Sequence, residues 1–120
     1  MPRSGGDAAP RAYIAQGEWP TGSLGPSAPA SARYAQAFAH RLRAALEKKG
    51  LSLRAVEREA GVNRLTIDRV LAGETLPDFG AEARLEDWLG QDLWPGPEIR
   101  AREGQRATRE RDVDQSERQT

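Results

Sequence analysis

Cysteine is absent from this 120-residue sequence, and His40 is its only histidine. Without thiols the chain has no disulfide, no thiolate metal site and no cysteine nucleophile. His40 has no other residue beside it at the spacing of a metal site. No apolar run approaches the roughly 18 residues of a membrane span, and no basic patch leads into an apolar segment near Met1. We therefore expect a cytoplasmic protein without metal, cofactor or membrane contact.

The sequence also lacks an excess of either charge, because 18 Lys and Arg residues balance 18 Asp and Glu residues. Non-specific affinity for nucleic acid grows with the number of phosphates that a protein neutralises, so an indiscriminate basic coat is excluded. Any binding of nucleic acid must be organised locally. The acids predicted on helices fit solvated faces better than a catalytic pair, and we expect no enzyme: Glu57, Glu59, Glu82, Glu86 and Asp87.

Apolar residues are scarce towards both ends of the chain. Residues 1–31 are mostly Gly, Pro, Ala and Ser, a composition that buries too little surface to offset its ordering entropy. We expect a disordered N-terminal arm, in which Tyr13-Ile14 and Trp19-Pro20 either stay exposed or dock on the domain or on a partner. Residues 96–120 interleave arginines with acids and predict a charged, disordered tail, with phosphate contacts by its arginines as the alternative.

Between these ends, residues 32–95 repeat apolar side chains at helical spacing, and no alternating run is long enough for a strand. The first helix is predicted from Ala32 to Lys49, and it has one apolar face: Phe38, Leu42, Ala45 and Leu46. The expected fold class is all-α, a compact domain of four to five helices between flexible tails.

The same signal for ending one helix and beginning another occurs twice, as Gly50-Leu51-Ser52 and as Gly61-Val62-Asn63. Glycine adopts the left-handed conformation, the apolar residue packs back, and Ser or Asn caps the next helix. Short helices are therefore predicted from Leu53 to Ala60 and from Arg64 to Ala72, with Gly73 after the second. Two helices joined by so brief a turn cross steeply, and the projecting second helix fits a major groove.

At this point the sequence resembles the Cro/repressor-type (XRE family) helix-turn-helix DNA-binding domain, over Phe38 to Gly90. Gly61-Val62, Thr66-Ile67 and Gly73 with Pro77 stand where that family has Gly-Val, Thr-Ile, Gly and Pro. The closing helix of the family is matched by Leu85, Trp88, Leu89 and Gly90. The resemblance implies a bacterial, repressor-like, sequence-specific transcription regulator, with double-stranded DNA as its partner.

Two positions depart from the family's pattern. Leu53 stands where the family often has a glutamine that anchors the second helix to the DNA backbone. Glu57 stands where a small residue normally lets the two short helices approach. A carboxylate at this position must reach solvent or pair, and Arg64 and Arg69 are the expected partners.

On a helical wheel with Ile67 pointing inward, Leu65 and Arg69 point almost directly outward. The resemblance places base reading at Arg64, Leu65 and Arg69, and arginine suits the paired acceptors of guanine while leucine suits a thymine methyl. The other expected DNA-binding residues lie beside them: Asn63, Thr66, Arg54 and Asp68.

Asp68 is the one acid in this set, and a carboxylate facing DNA repels phosphate unless it accepts from cytosine or orients an arginine. We expect it to pair with Arg64, four positions earlier, rather than to read a base. Asn63 and Thr66 are expected at phosphates, although capping alone explains Asn63.

Self-association is expected, because one short helix gives too little specific affinity and related proteins pair two half-sites. The expected homodimer surface contains Trp88, Leu93 and Trp94, with closure of the monomer's own core as the alternative role of Trp88. The alternative function is an antitoxin-like or accessory protein-interaction module, which the neutral charge, Leu53, Glu57 and Asp68 favour.

Overall fold

The structure, a computed structural model, describes residues 6–104. Its elements, in chain order, are a 3-10 helix (Pro10–Tyr13), strands β1 (Ile14–Gln16) and β2 (Ser23–Leu24), and helices α1 (Ala30–Lys49), α2 (Leu53–Ala60), α3 (Arg64–Leu71) and α4 (Phe79–Leu89). A last helix, α5, covers residues 96–104. The helical architecture confirms the expected fold class, and the small antiparallel sheet is an addition that was not expected. None of the helices between residues 6 and 104 has the length and apolarity needed to cross a bilayer.

The core forms where α1 meets the three shorter helices that follow it. All four residues of the predicted α1 face are buried, and Leu42 is completely enclosed. α3 packs on both α1 and α2, and α4 packs on α2. The other core residues are Val56, Val62, Ile67, Val70, Ala81, Leu85, Leu89 and Leu93. This arrangement holds α3 on the body by one side only and leaves its other side to solvent.

The two turns around α2 follow the local chemistry predicted for them. Gly50 and Gly61 both have positive φ, 63° and 73°, so each ends a helix in the left-handed conformation. The Oγ of Ser52 accepts a hydrogen bond from the N–H of Ala55 at 3.1 Å, which satisfies one of the donors left open at the start of α2. α2 has the predicted bounds, and α3 ends one residue earlier than predicted.

The N-terminal arm differs from the expected disordered segment, because residues 10–24 form the 3-10 helix and the sheet. Pro10 and Pro20 are buried, and the N–H of Arg11 donates to the carbonyl oxygen of Gly73 at 2.9 Å. Trp19 packs against Gly73 from the same side. A few apolar side chains thus hold the arm on the domain, although the average composition of the arm predicts disorder.

The tail also differs from expectation, since it begins as helix α5. Ile99 is buried, and ion pairs of Arg41 with Glu98 and of Arg33 with Glu103 join α5 to α1. The alternating charges of this stretch therefore pair with α1 rather than only with solvent. The predictions for residues 1–5 and 105–120 lie outside the described residues.

The expected dimer surface is only partly available. Leu93 is fully buried within the monomer, where the N–H groups of Leu93 and Trp94 both donate to the Glu86 carboxylate, at 2.7 and 2.9 Å. Trp88 is half-buried and packs on the same core. Trp94 is 44% exposed and meets Tyr34 edge to face, with ring centroids 5.0 Å apart. Closure of the monomer's core is therefore the observed role of Trp88 and Leu93.

Candidate nucleic-acid interface

The outer face of α3 has the orientation predicted from the helical wheel. Ile67 is 1% exposed and points into the core, while Leu65, on the opposite side, is 52% exposed. Arg64, Asp68 and Arg69 are also exposed, and Thr66 is half-buried on the flank. Leu65 takes no part in the hydrophobic core, and a leucine exposed between two arginines suits contact with another molecule.

The guanidinium groups of Arg64 and Arg69 form no ion pair with an acid in residues 6–104. The predicted pairing of Asp68 with Arg64 is therefore wrong. The physical reason is order along the helix, because an acid four residues after a base is the less favourable arrangement for both the pair and the helix dipole. Both cations remain available to an external partner.

Glu57 pairs in a way that the sequence analysis did not anticipate. Its Oε2 accepts a hydrogen bond at 2.9 Å from the main-chain N–H of Arg64, not from the guanidinium of Arg64 or Arg69. Beside it, Oδ1 of Asn63 accepts from the N–H of Leu65 at 2.8 Å. Two consecutive donors at the start of α3 are thus satisfied by side chains, and the charge of Glu57 lies at the positive end of the helix dipole.

Replacing Glu57 by alanine should lower the free energy of unfolding by about 0.5–2 kcal/mol, the usual cost of a lost helix cap. Glu57→Gln is the matched variant, because its amide oxygen can still accept from Arg64 while the negative charge is gone. We expect Glu57→Gln to retain most of the stability in urea denaturation. Equal losses in the two variants would show that the charge, and not the hydrogen bond, stabilises the start of α3.

The other predicted DNA contacts lie around the turn between α2 and α3. Arg54 is exposed in the first turn of α2, and Asn63 uses its oxygen for capping but keeps its amide N–H groups as donors. Leu53 packs against the core, which explains why an apolar residue occupies a position where the family often has glutamine. No phosphate contact from the side chain of Leu53 is therefore expected.

The C-terminal end of α3 is held by Gly73, as predicted, and by Trp19 of the N-terminal arm, which docks on the domain as one of the alternatives left open for it. The N–H of Glu74 donates to the carbonyl of Arg69 at 2.9 Å and that of Gly73 donates to Val70 at 3.1 Å, which together form a Schellman motif. Gly73 has a φ of 73° and is buried under Trp19. The only sequence signal for this contact was a tryptophan in a segment otherwise rich in glycine and proline.

No group of three or more His, Asp or Glu residues within residues 6–104 is arranged to hold a metal ion. His40 is exposed on α1, on the side where α1 meets the N-terminal arm and α5. The candidate site consists of the exposed side chains of α3 and the N-terminal turn of α2.

Comparison with known proteins agrees with this geometry. Residues 37–93 match the family model of a helix-turn-helix domain. The matched range runs from the second turn of α1 to Leu93, and it includes the whole of α2, α3 and α4. Neither the curated proteins nor the solved structures give a significant match. The match and the observed helices together support a helix-turn-helix fold for residues 37–93, without a narrower assignment among such domains.

Proposed function

We propose that this chain, with its helix-turn-helix domain over residues 37–93, is a bacterial, sequence-specific DNA-binding transcription regulator of the Cro/repressor (XRE) type. α3 enters the major groove of double-stranded DNA and presents its outer face to the bases. One observation supports this function above all: Arg64, Leu65 and Arg69 project from α3, and neither arginine is paired with an acid of the described residues.

Each side chain has a role that follows from its chemistry. Arg64 and Arg69 donate to the O6 and N7 acceptors of guanine, and Leu65 contacts a thymine methyl. Asp68 has one favourable base partner, the amino group of cytosine. Arg54, Asn63 and Thr66 contact the DNA backbone and fix the register of α3.

A homodimer on an inverted repeat remains part of the proposal, because three base-reading side chains specify too few base pairs alone. With Leu93 buried in the monomer, Trp94 is the member of the expected dimer surface that is most available to a second copy.

The second candidate function is an antitoxin-like or accessory protein-interaction module. Its support is a number of large apolar side chains that are exposed in the monomer, among which Phe79 is 85% exposed. Leu65 is also more than half exposed, and Leu76 is nearly half exposed. Combined with zero net charge, such a surface suits a protein partner as well.

A salt titration distinguishes the two functions. Fluorescence anisotropy with a labelled duplex of random sequence should show binding near 50 mM salt that weakens as salt rises, with a log–log slope of about −0.9 for each phosphate neutralised. Arg54→Ala should reduce the size of that slope by about one. Arg43→Ala removes an exposed arginine of α1 that is outside the predicted DNA contacts, so it serves as the matched control and should leave the slope unchanged. Absence of binding at low salt would favour the protein-interaction module.

A further inference from the structure

The N-terminal arm contacts the turn that follows α3 through Arg11 and Trp19. The N–H of Arg11 donates to the carbonyl oxygen of Gly73 at 2.9 Å, and its guanidinium forms an ion pair with Glu74 at 3.4 Å. The indole of Trp19 covers the same turn so closely that a Cβ on Gly73 would lie 2.6 Å from Cδ2 of the indole. Three contacts, two from Arg11 and one from Trp19, thus join the arm to two consecutive residues.

The same turn closes α3 at the residue expected to read a base. The Schellman bond runs from the N–H of Glu74 to the carbonyl of Arg69, so the backbone of Arg69 is tied to the turn that the arm holds. α3 has only eight residues, and the ends of so short a helix open easily unless packing holds them. A two-bond contact with guanine requires the guanidinium to be placed within about 0.5 Å of its productive position, and the backbone of Arg69 sets the point from which the side chain reaches.

We propose that the N-terminal arm positions the reading helix: Trp19 and Arg11 fix Gly73, and Gly73 fixes the backbone of Arg69 for its base contact. The effect on base contact by Arg69 rests on the proposed function, whereas the docking of the arm on Gly73 does not require DNA. Trp19 is accordingly a positioning residue that never touches the nucleic acid.

The docking of Trp19 depends on shape rather than on hydrogen bonding. Its indole Nε1 is buried and has no hydrogen-bond partner among residues 6–104. A phenylalanine keeps a flat ring over Gly73 and removes a donor that satisfies no acceptor there. Trp19→Phe should therefore preserve the positioning, and Trp19→Ala should abolish it.

Amide hydrogen exchange of the full chain without DNA tests the docking. In Trp19→Ala the amides of Gly73 and Glu74 should exchange about tenfold faster or more, because their bonds close the end of α3. Trp19→Phe should exchange as the wild type does, and so should the control Trp94→Ala, which removes a tryptophan that contacts Tyr34 instead of Gly73. Unchanged exchange in Trp19→Ala would overturn the proposal whatever the protein does with DNA.

Base discrimination tests whether the docking of the arm positions Arg69 for its base contact. A preferred duplex is selected from a randomised library, and its guanine that is sensitive to Arg69→Ala is changed to adenine. Trp19→Ala should reduce the ratio of the two affinities by about fivefold or more, while affinity for a random duplex stays within about twofold. Trp19→Phe should restore the wild-type ratio. Faster exchange at Gly73 with an unchanged ratio would overturn the positioning role and leave the proposed function intact.

A double-mutant cycle gives a second route that tolerates a loss of stability. Gly73→Ala is strained by its φ of 73° in any background, but the clash with Trp19 exists only while the indole is present. The fall in melting temperature caused by Gly73→Ala should therefore be smaller in Trp19→Ala than in the wild type. Additive effects would show that the indole does not occupy this site in solution.

If the wild type binds no duplex at low salt, the proposed function fails and the positioning role fails with it, whereas the exchange at Gly73 still reports whether the arm docks.

Discussion

Replacing Ile67 by alanine should lower the free energy of unfolding by about 2–5 kcal/mol. Ile67 is 1% exposed, and it joins α3 to the core formed by α1 and α2. The loss includes the burial of the deleted groups and the cavity that they leave, which such short helices cannot easily close. Small domains have a total stability of about 5–15 kcal/mol, so DNA binding should fall together with the folded fraction.

Leu65→Ala is the matched control for Ile67→Ala, since both change an aliphatic residue of the same helix two positions apart. Leu65 is 52% exposed, and its loss should change stability by no more than about 0.5 kcal/mol. Urea denaturation measures both variants. The DNA effect of Leu65→Ala should instead appear as a reduced preference for thymine over uracil at one position. A large loss of stability in Leu65→Ala would mean that α3 is oriented differently on the core.

The fold of residues 50–73 was predictable because its determinants are local. Gly50 and Gly61 need only their own left-handed conformation, and Ser52 and Asn63 need only the first turn of the next helix. Nothing distant in the sequence is required to define these turns. For that reason the bounds of α2 were predicted without error and those of α3 within one residue.

The contacts whose partners the sequence did not identify join residues far apart in the chain. Trp19 and Gly73 are separated by β2 and three helices, and no local pattern couples a tryptophan to a distant glycine. The ion pair of Arg33 with Glu103 is of the same kind. A composition average over the arm or the tail treats each residue as solvated, and so it predicts disorder where a few tertiary contacts determine the structure.

The site was predictable in orientation and not in electrostatic detail. The outward direction of Leu65 and Arg69 follows from helical periodicity alone. The partner of Glu57 does not follow from periodicity. Two guanidinium groups and a main-chain N–H were possible donors to its carboxylate, and the crossing of α2 and α3 determines which of them is within reach. That Glu57 uses the main chain keeps both arginines of α3 available.

Arg69→Ala should weaken binding to the preferred duplex by about 1–3 kcal/mol, or roughly 5- to 150-fold, and should relax the preference at one base pair of each half-site. Arg69 is exposed on the outer face of α3, and its backbone carbonyl accepts a hydrogen bond from the N–H of Glu74. In the proposed complex its guanidinium donates two parallel bonds to guanine. Arg69→Ala removes a positive charge as well as the proposed base contact, so affinity for a random duplex should fall less than affinity for the preferred duplex. Library selection followed by affinity measurement on single-base variants reports both effects.

Arg69→Lys separates charge from geometry, because an ammonium keeps the positive charge and loses the planar pair of donors. It should retain affinity for a random duplex and lose most of the preference at the same base pair. Thr66→Val serves as the second comparison and should weaken all sequences about equally, as expected for a backbone contact. If Arg69→Ala leaves affinity and base preference unchanged at an unchanged melting temperature, α3 does not read DNA. The exposed face of α3 is then a surface for a protein partner.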